Sequence, residues 1–148
     1  MDIETAQQMF DAVLPQAPQH DIFIATAAVA DWRPRSYSDR KLKKQPGGQA
    51  ASLELDENPD VLAAVSRLPQ RPFCVGFAAE SHDVREKQVR KNVPLIVGNL
   101  GSAAFGADDN ALTLVDANGH RELPRADKLT LARQLVGEIA ARISTGST

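Results

Sequence analysis

The chain has 148 residues, 43% hydrophobic and 24% charged, a balance that fits one globular domain with a real core. Its net charge of −2 excludes the overall basic field behind non-specific nucleic-acid binding. A single cysteine, Cys74, excludes a disulfide framework within one chain, and no apolar run approaches a membrane span.

Thr5 to Leu14 reads as an amphipathic helix, with Ala6, Met9, Phe10, Val13 and Leu14 on one face and Pro15 and Pro18 ending it. Asp21 to Ala27 reads as a buried strand. It runs into Ala25-Thr-Ala-Ala-Val-Ala-Asp-Trp-Arg-Pro34, where small residues permit close backbone approach and Asp31 falls just past the strand. Between Arg33 and Lys44 stand six cations (Arg33, Arg35, Arg40, Lys41, Lys43, Lys44) against one acid, Asp39. In a parallel α/β sheet, ligands bind outside the carboxyl ends of the strands. A small-residue strand end with an acid and a lysine cluster therefore suggests a pocket for a polyanion such as a nucleotide. From charge alone, a solvated basic loop explains the run as well.

Pro34 to Ala51 has weak periodicity and a Pro46-Gly47-Gly48 turn signal, and Ser52 to Leu55 alternates like a short strand. Lys41–Lys44 and Ser52–Leu55 are expected to form the arms of an exposed flap, with Trp32 packing beside its hinge. Asn58-Pro59-Asp60 is a helix start: Asn58 can cap, Pro59 suits the first helical position, and Asp60 favours the positive end of the dipole. Val61, Leu62, Val65 and Leu68 supply that helix's apolar face.

Phe73 to Phe77 is the next strand, with Cys74 as a buried, inert thiol and Gly76 near the end. A helix follows over Asp83 to Lys91, then a third buried strand, Leu95 to Val97, leading into Gly98-Asn99. Leu112–Val115 and Arg121–Leu123 flank an Asn118-Gly119 hairpin turn. The last helix spans Asp127 to Ile143 on a stripe of Leu131, Leu135, Ile139 and Ile143, and Ser144 to Thr148 is expected to fray. The alternation predicts one α/β domain over residues 1–148, a mainly parallel sheet with helices on both faces, plus a flap and a C-terminal hairpin. His20, His82 and His120 match no ligand or triad spacing and are read as surface residues.

Ala27-Ala28-Val29-Ala30-Asp31-Trp32-Arg33-Pro34, Lys41-Leu42-Lys43-Lys44, Asn58-Pro59-Asp60-Val61 and Gly76-Phe77-Ala78-Ala79-Glu80 together resemble phosphopantothenoylcysteine synthetase, the phosphopantothenate–cysteine ligase of coenzyme A biosynthesis. The resemblance continues through Lys87, Lys91-Asn92, Leu95-Ile96-Val97 with Asn99, and Asp109-Asn110-Ala111-Leu112. Each string is weak alone; their order and spacing over nearly the whole chain are specific. The resemblance implies a Rossmann-like fold. It also implies a reaction in which CTP and Mg²⁺ activate 4′-phosphopantothenate as an acyl-cytidylate, which cysteine then attacks. It further implies a homodimer and, in bacterial full-length proteins, an N-terminal flavin-dependent decarboxylase; a cytoplasmic location is expected from the single cysteine and the lack of a membrane-length apolar run.

Carried over residue by residue, the resemblance implies that Asp31 recognises the nucleotide and that Ala27 and Ala28 let backbone groups approach it. Lys41, ten residues after Asp31 as the family pattern requires, would be the flap lysine that closes over the acyl-phosphate. Asn58, Pro59, Asp60 and Val61 would read the base through backbone groups, although capping alone explains the Asn58 and Asp60 side chains. Phe77 would lie beside the nucleotide or simply pack in the core. Lys87 and Lys91, four apart on one helical face, would meet the phosphates.

Two departures stand out. Between Glu80 and Lys87 the chain is about four residues, roughly one helical turn, shorter than the family pattern. The family's glycine-rich N-terminal turn and its asparagine-containing acyl-substrate segment find no match here. The chain is thus expected to be an N-terminally truncated synthetase-like domain with little or no activity alone. Two other readings stay open. A Rossmann-like reductase lacks the Gly-x-Gly-x-x-Gly turn it would need, and a non-catalytic module would mainly dimerise.

Overall fold

Thr5 opens the first helix, α1 (Ala6–Val13), through a capping box. Its hydroxyl accepts from the Gln8 N–H at 3.1 Å, and the Gln8 side chain accepts from the Thr5 N–H at 3.1 Å. The computed structural model describes residues 2–36, 52–78, 84–99 and 109–145. A short 3-10 turn, Ala17–Gln19, leads into strand β1 (Ile22–Ala25). A separate two-stranded antiparallel ribbon follows, β2 (Trp32–Pro34) on β3 (Leu55–Glu57). Then come α2 (Val61–Ser66), β4 (Phe73–Ala78), α3 (Val84–Lys91), β5 (Leu95–Asn99), β6 (Asp109–Asp116), β7 (Gly119–Asp127) and α4 (Lys128–Thr145).

The main sheet has the order β1-β4-β5-β6-β7. The first three strands are parallel, and the β6–β7 hairpin adds an antiparallel edge. Side chains alternate between two cores, as the pleat requires. Cys74, Ala78, Ile96 and Val115 face Leu62, Val65 and Val84 from α2 and α3. Val75, Leu95, Val97 and Leu114 face Leu131, Leu135 and Ile139 of α4. Helices therefore cover both faces, as the alternation predicts.

Two glycines let the α2–α3 layer lie close to the sheet. A Cβ on Gly76 would stand 2.5 Å from Leu62 Cδ2, and one on Gly98 would stand 3.3 Å from Val84 Cγ2. The hairpin turn is held from both sides. Arg85 on α3 donates to the Asp116 carbonyl at 3.0 Å. Arg142 on α4 meets the Asp116 carboxylate at 3.0 Å and Glu138 at 2.6 Å, and Glu138 also pairs with Arg121 at 2.6 Å. Burial alone would lower the Arg142 pKa; hydrogen bonds from its guanidinium to Glu138 and Asp116 outweigh that and raise it.

Several sequence expectations shift. β1 is shorter than Asp21–Ala27 and is an edge strand: Phe23 and Ala25 pack inward, but Ile22 and Ile24 remain 41% and 40% exposed. α4 packs mainly over β6 and β7, at the other side of the sheet order. The strand expected at Ser52–Leu55 lies at Leu55–Glu57, and its partner is Trp32–Pro34. Arg35 extends this ladder by donating its N–H to the Glu54 carbonyl at 2.9 Å. Trp32 is 58% exposed on this ribbon and is not packed at a hinge, because no described element covers a two-stranded ribbon. The expected Lys41–Lys44 arm and His82 lie outside the described residues.

The hairpin strands run well beyond Leu112–Val115 and Arg121–Leu123. Arg125 pairs with Asp109 at 2.8 Å and carries the ladder outward. The turn centres on Ala117-Asn118, one residue earlier than expected. Asp116 Oδ1 accepts from the Asn118 N–H at 2.8 Å, and Gly119 begins β7 with φ +139°, a value that favours glycine. Cys74 is fully buried, and burial raises its thiol pKa. An inert thiol is what that environment produces.

Candidate functional site

Because β1, β4 and β5 are parallel, their carboxyl ends share one edge of the sheet. The backbone leaves β1 through Ala27, Ala28 and Asp31, all exposed, before entering β2. Asn58 ties this passage to the start of α2. Its backbone N–H donates to the Asp31 carbonyl at 2.8 Å, and its Nδ2 donates to the Ala30 carbonyl at 2.8 Å. Its Oδ1 accepts from Arg33 at 3.0 Å. Ala28, Val29 and Asn58 border a cleft of about 390 Å³ that Thr5, the cap of α1, and Met9 on α1 also line.

The cap of α2 is Asp60, not Asn58. A residue before proline is biased toward extended backbone, and the Asn58 amide is already committed to Ala30 and Arg33. Asp60 is extended (φ −82°, ψ 93°), and its Oδ1 accepts from the Ala63 N–H at 3.0 Å. Pro59 therefore precedes the cap, and Val61, which is buried, is the first helical residue.

The second oxygen of Asp60 meets the Lys91 ammonium at 3.0 Å. Lys91 reaches it from the far end of α3, and its backbone there is firmly placed. Asn92 takes φ +53°, the Asn92 N–H donates to the Val89 carbonyl at 3.0 Å, and the Val93 N–H donates to the Gln88 carbonyl at 3.3 Å. That pair of bonds is a Schellman ending. Ser66, at the end of α2, donates its hydroxyl to the Lys91 carbonyl at 2.5 Å. The Lys91 side chain thus lies along α2, backbone at one end and ammonium at the other. Lys87, half-buried, stands one turn earlier on the same helix.

The structure therefore brings together Ala28, Asp31 and Asn58 around one cleft and turn, and Asp60 with Lys91 two residues further on. It does not bring Phe77 to them. Phe77 packs half-buried on the α4 side of the sheet, and core packing accounts for it. Lys41 lies outside the described residues, as does the shortened stretch before α3.

Two of the six clustered cations have local tasks. Arg33 donates to the Glu57 carbonyl and to Asn58. Arg35 pairs with Asp56 at 2.8 Å and Glu54 at 3.0 Å, and its pKa is raised chiefly by the hydrogen bond to Asp56. Asn99, one of the residues in the resemblance, closes β5 at the same edge and accepts from Asn110 Nδ2 at 3.0 Å. Among the described residues, no group of three or more His, Cys, Asp or Glu side chains is placed to hold a metal ion, and no helix is long and apolar enough to cross a membrane.

Residues 1–143 match the family model of the DNA/pantothenate metabolism flavoprotein C-terminal domain. The chain belongs to that family. It is 40% identical over 147 residues to the coenzyme A biosynthesis bifunctional protein CoaBC of Vibrio vulnificus, covering 94% of this chain and 37% of that one. Against the Bacillus subtilis protein of the same name, identity is 42% over 147 residues, covering 94% and 36%. The chain thus spans little more than a third of the length of these relatives.

Among solved structures, the C-terminal domain of CoaBC superposes with a TM-score of 0.76 at 30% identity, over 98% of this chain and 68% of that one. A DNA/pantothenate metabolism flavoprotein from Streptococcus pneumoniae superposes at 0.73 with 18% identity, which speaks for the fold alone. The family fold accounts for the parallel strands with helices on both faces and for the carboxyl-end edge where Asn58 sits.

Proposed function

We propose that this chain forms the nucleotide-facing part of a phosphopantothenate–cysteine ligase of coenzyme A biosynthesis, with CTP as co-substrate. The observation that supports this most is the junction at Asn58. One side chain joins the end of a parallel strand to a helix start, and a lysine ammonium stands 3.0 Å from that helix's capping acid. A nucleotide base fits where backbone groups are held this way, and cations fit where its phosphates would extend.

In the proposed reaction, a carboxylate oxygen of 4′-phosphopantothenate attacks the α-phosphorus of CTP. The bond to the bridging oxygen breaks and pyrophosphate leaves. The cysteine amine then attacks the acyl carbon and loses a proton, the carbon–oxygen bond to the phosphoryl group breaks, and CMP leaves. Asp31 makes polar contact with the nucleotide. The backbone from Asn58 to Val61 reads the base, with Ala27 and Ala28 allowing close approach. Lys87 and Lys91 face the phosphates, and Lys41 closes over the acyl-phosphate. Mg²⁺ would arrive with the triphosphate and offset its charge; among the described residues, no group of three or more His, Cys, Asp or Glu side chains is placed to hold it. The reading extends to a homodimer in the cytoplasm and a decarboxylase domain in the full-length protein.

Thermal unfolding with CTP, ATP or NADH tests this reading. CTP at 100 times its dissociation constant should add about 2.7 kcal/mol of stability. For a chain of this size that raises the midpoint by roughly 5–10 °C. Stabilisation by NADH and not CTP favours a reductase, and no response to any nucleotide favours a module that only associates.

A further inference from the structure

The Lys91 ammonium, one of the proposed phosphate contacts, already has an anionic neighbour in the structure, the Asp60 carboxylate. The Asp60 carboxylate divides its two oxygens: Oδ1 accepts the Ala63 N–H at 3.0 Å, and Oδ2 accepts from Lys91 at 3.0 Å. The lysine side chain is 26% exposed and the aspartate 45%, so the pair is half-shielded at the start of α2. The backbone beneath Lys91 is fixed independently by the Asn92 turn and the Ser66 hydroxyl. Asp60 therefore acts on the ammonium and not on the fold of α3. An ammonium has three donors and can serve a carboxylate and a phosphate together, but its charge is then shared.

We propose that Asp60 is a positioning residue that holds the Lys91 ammonium at the start of α2 and limits the positive charge the site presents to a nucleotide's β- and γ-phosphates. This rests on the nucleotide reading above. Its consequence is specific: pairing with Asp60 shields the Lys91 ammonium from triphosphates more than from monophosphates, because only the longer chain reaches that ammonium.

Asp60→Asn tests the proposal cleanly, since asparagine is as good a helix cap as aspartate but carries no charge. Titration calorimetry of wild type, Asp60→Asn, Lys91→Met and the double variant with CTP and with CMP reads the effect. Asp60→Asn should tighten CTP binding roughly two- to fivefold, the scale of a partly exposed ion pair, and leave CMP binding unchanged. Lys91→Met should weaken CTP binding more in the Asp60→Asn background than in wild type, by the same factor. Trace acetylation mapped by mass spectrometry, with no nucleotide present, should label Lys91 faster in Asp60→Asn than in wild type.

Weaker CTP binding in Asp60→Asn, equal changes for CTP and CMP, additive substitutions or unchanged Lys91 labelling each overturn the proposal while leaving the nucleotide reading intact. Absence of CTP uptake by wild type overturns the nucleotide reading and takes this proposal with it.

Discussion

The two faces of the sheet are built differently. On the α4 face, an 18-residue helix lies over the hairpin, with Leu131, Leu135 and Ile139 buried in a continuous aliphatic layer. Charges there close on one another, as Arg142, Asp116, Glu138 and Arg121 do. On the other face, α2 has six residues and α3 eight, and glycines at 76 and 98 let them sit low. Polar groups gather at the ends of these short helices: Asn58, Asp60, Ser66, Lys91 and Asn92. The contrast teaches where each task resides. The long helix supplies burial, and the short helices trade burial for placed backbone ends and charges beside the carboxyl edge.

If that division is right, the largest stability losses come from the α4 face. Leu114→Ala removes a side chain that is 1% exposed against α4 and should cost about 2–5 kcal/mol, measured as a drop in the urea midpoint with unchanged slope. A loss below about 1 kcal/mol would mean that the layer is loosely packed. Arg142→Ala leaves Asp116 and Glu138 half-buried without their shared partner and should cost about 2 kcal/mol. Its effect should shrink when Asp116 is already asparagine, because the partner left behind is then neutral.

Gly76→Ala sharpens the contrast from the other side. Its new methyl would press on the end of Leu62, which must turn aside or push α2 outward, at a cost of about 1–3 kcal/mol. Because the backbone entering α2 is the proposed base reader, CTP binding should weaken as well, whereas Leu114→Ala should leave it unchanged in the folded fraction. Equal effects of both variants on binding would erase the distinction between the faces.

The smallest effect is a pH dependence at the start of α4. The Asp127 carboxyl is held below the usual range chiefly by the Thr130 hydroxyl, with help from the Thr130 N–H. A carboxyl with a depressed folded-state pKa stabilises above its unfolded value of about 3.9 and loses that contribution as pH falls through the folded value. The advantage of wild type over Asp127→Asn should therefore be constant above about pH 5 and fade in more acidic solution. An advantage that grows on acidification contradicts this.

Much of this was legible locally. The apolar stripe on α4, the amphipathic face of α1, the apolar runs of β4 and β5 and the turn near Gly119 are short-range patterns, and each produced the expected element. What escaped depends on distant partners. Nothing near Asn58 announces that its amide is spent on Ala30 and Arg33, which moves the cap to Asp60. Arg35 looked like part of a free cation cluster until Glu54 and Asp56 came alongside. Phe77 and Val75 share one face of β4, and only the pleat decides which helix they meet. The pairing of Lys91 with Asp60 is also long-range: it needs both helices in place, and neither residue's neighbourhood in the sequence suggests it.

The central claim is a nucleotide site at the corner where β1 ends and α2 begins. Calorimetric titration of CTP into wild type and Asp31→Ala tests it most directly, because Asp31 holds Asn58 through its backbone carbonyl and the substitution leaves that bond in place. Saturable uptake by wild type that falls at least tenfold in Asp31→Ala is the expected result. No uptake by wild type, or equal uptake by both proteins, contradicts the account.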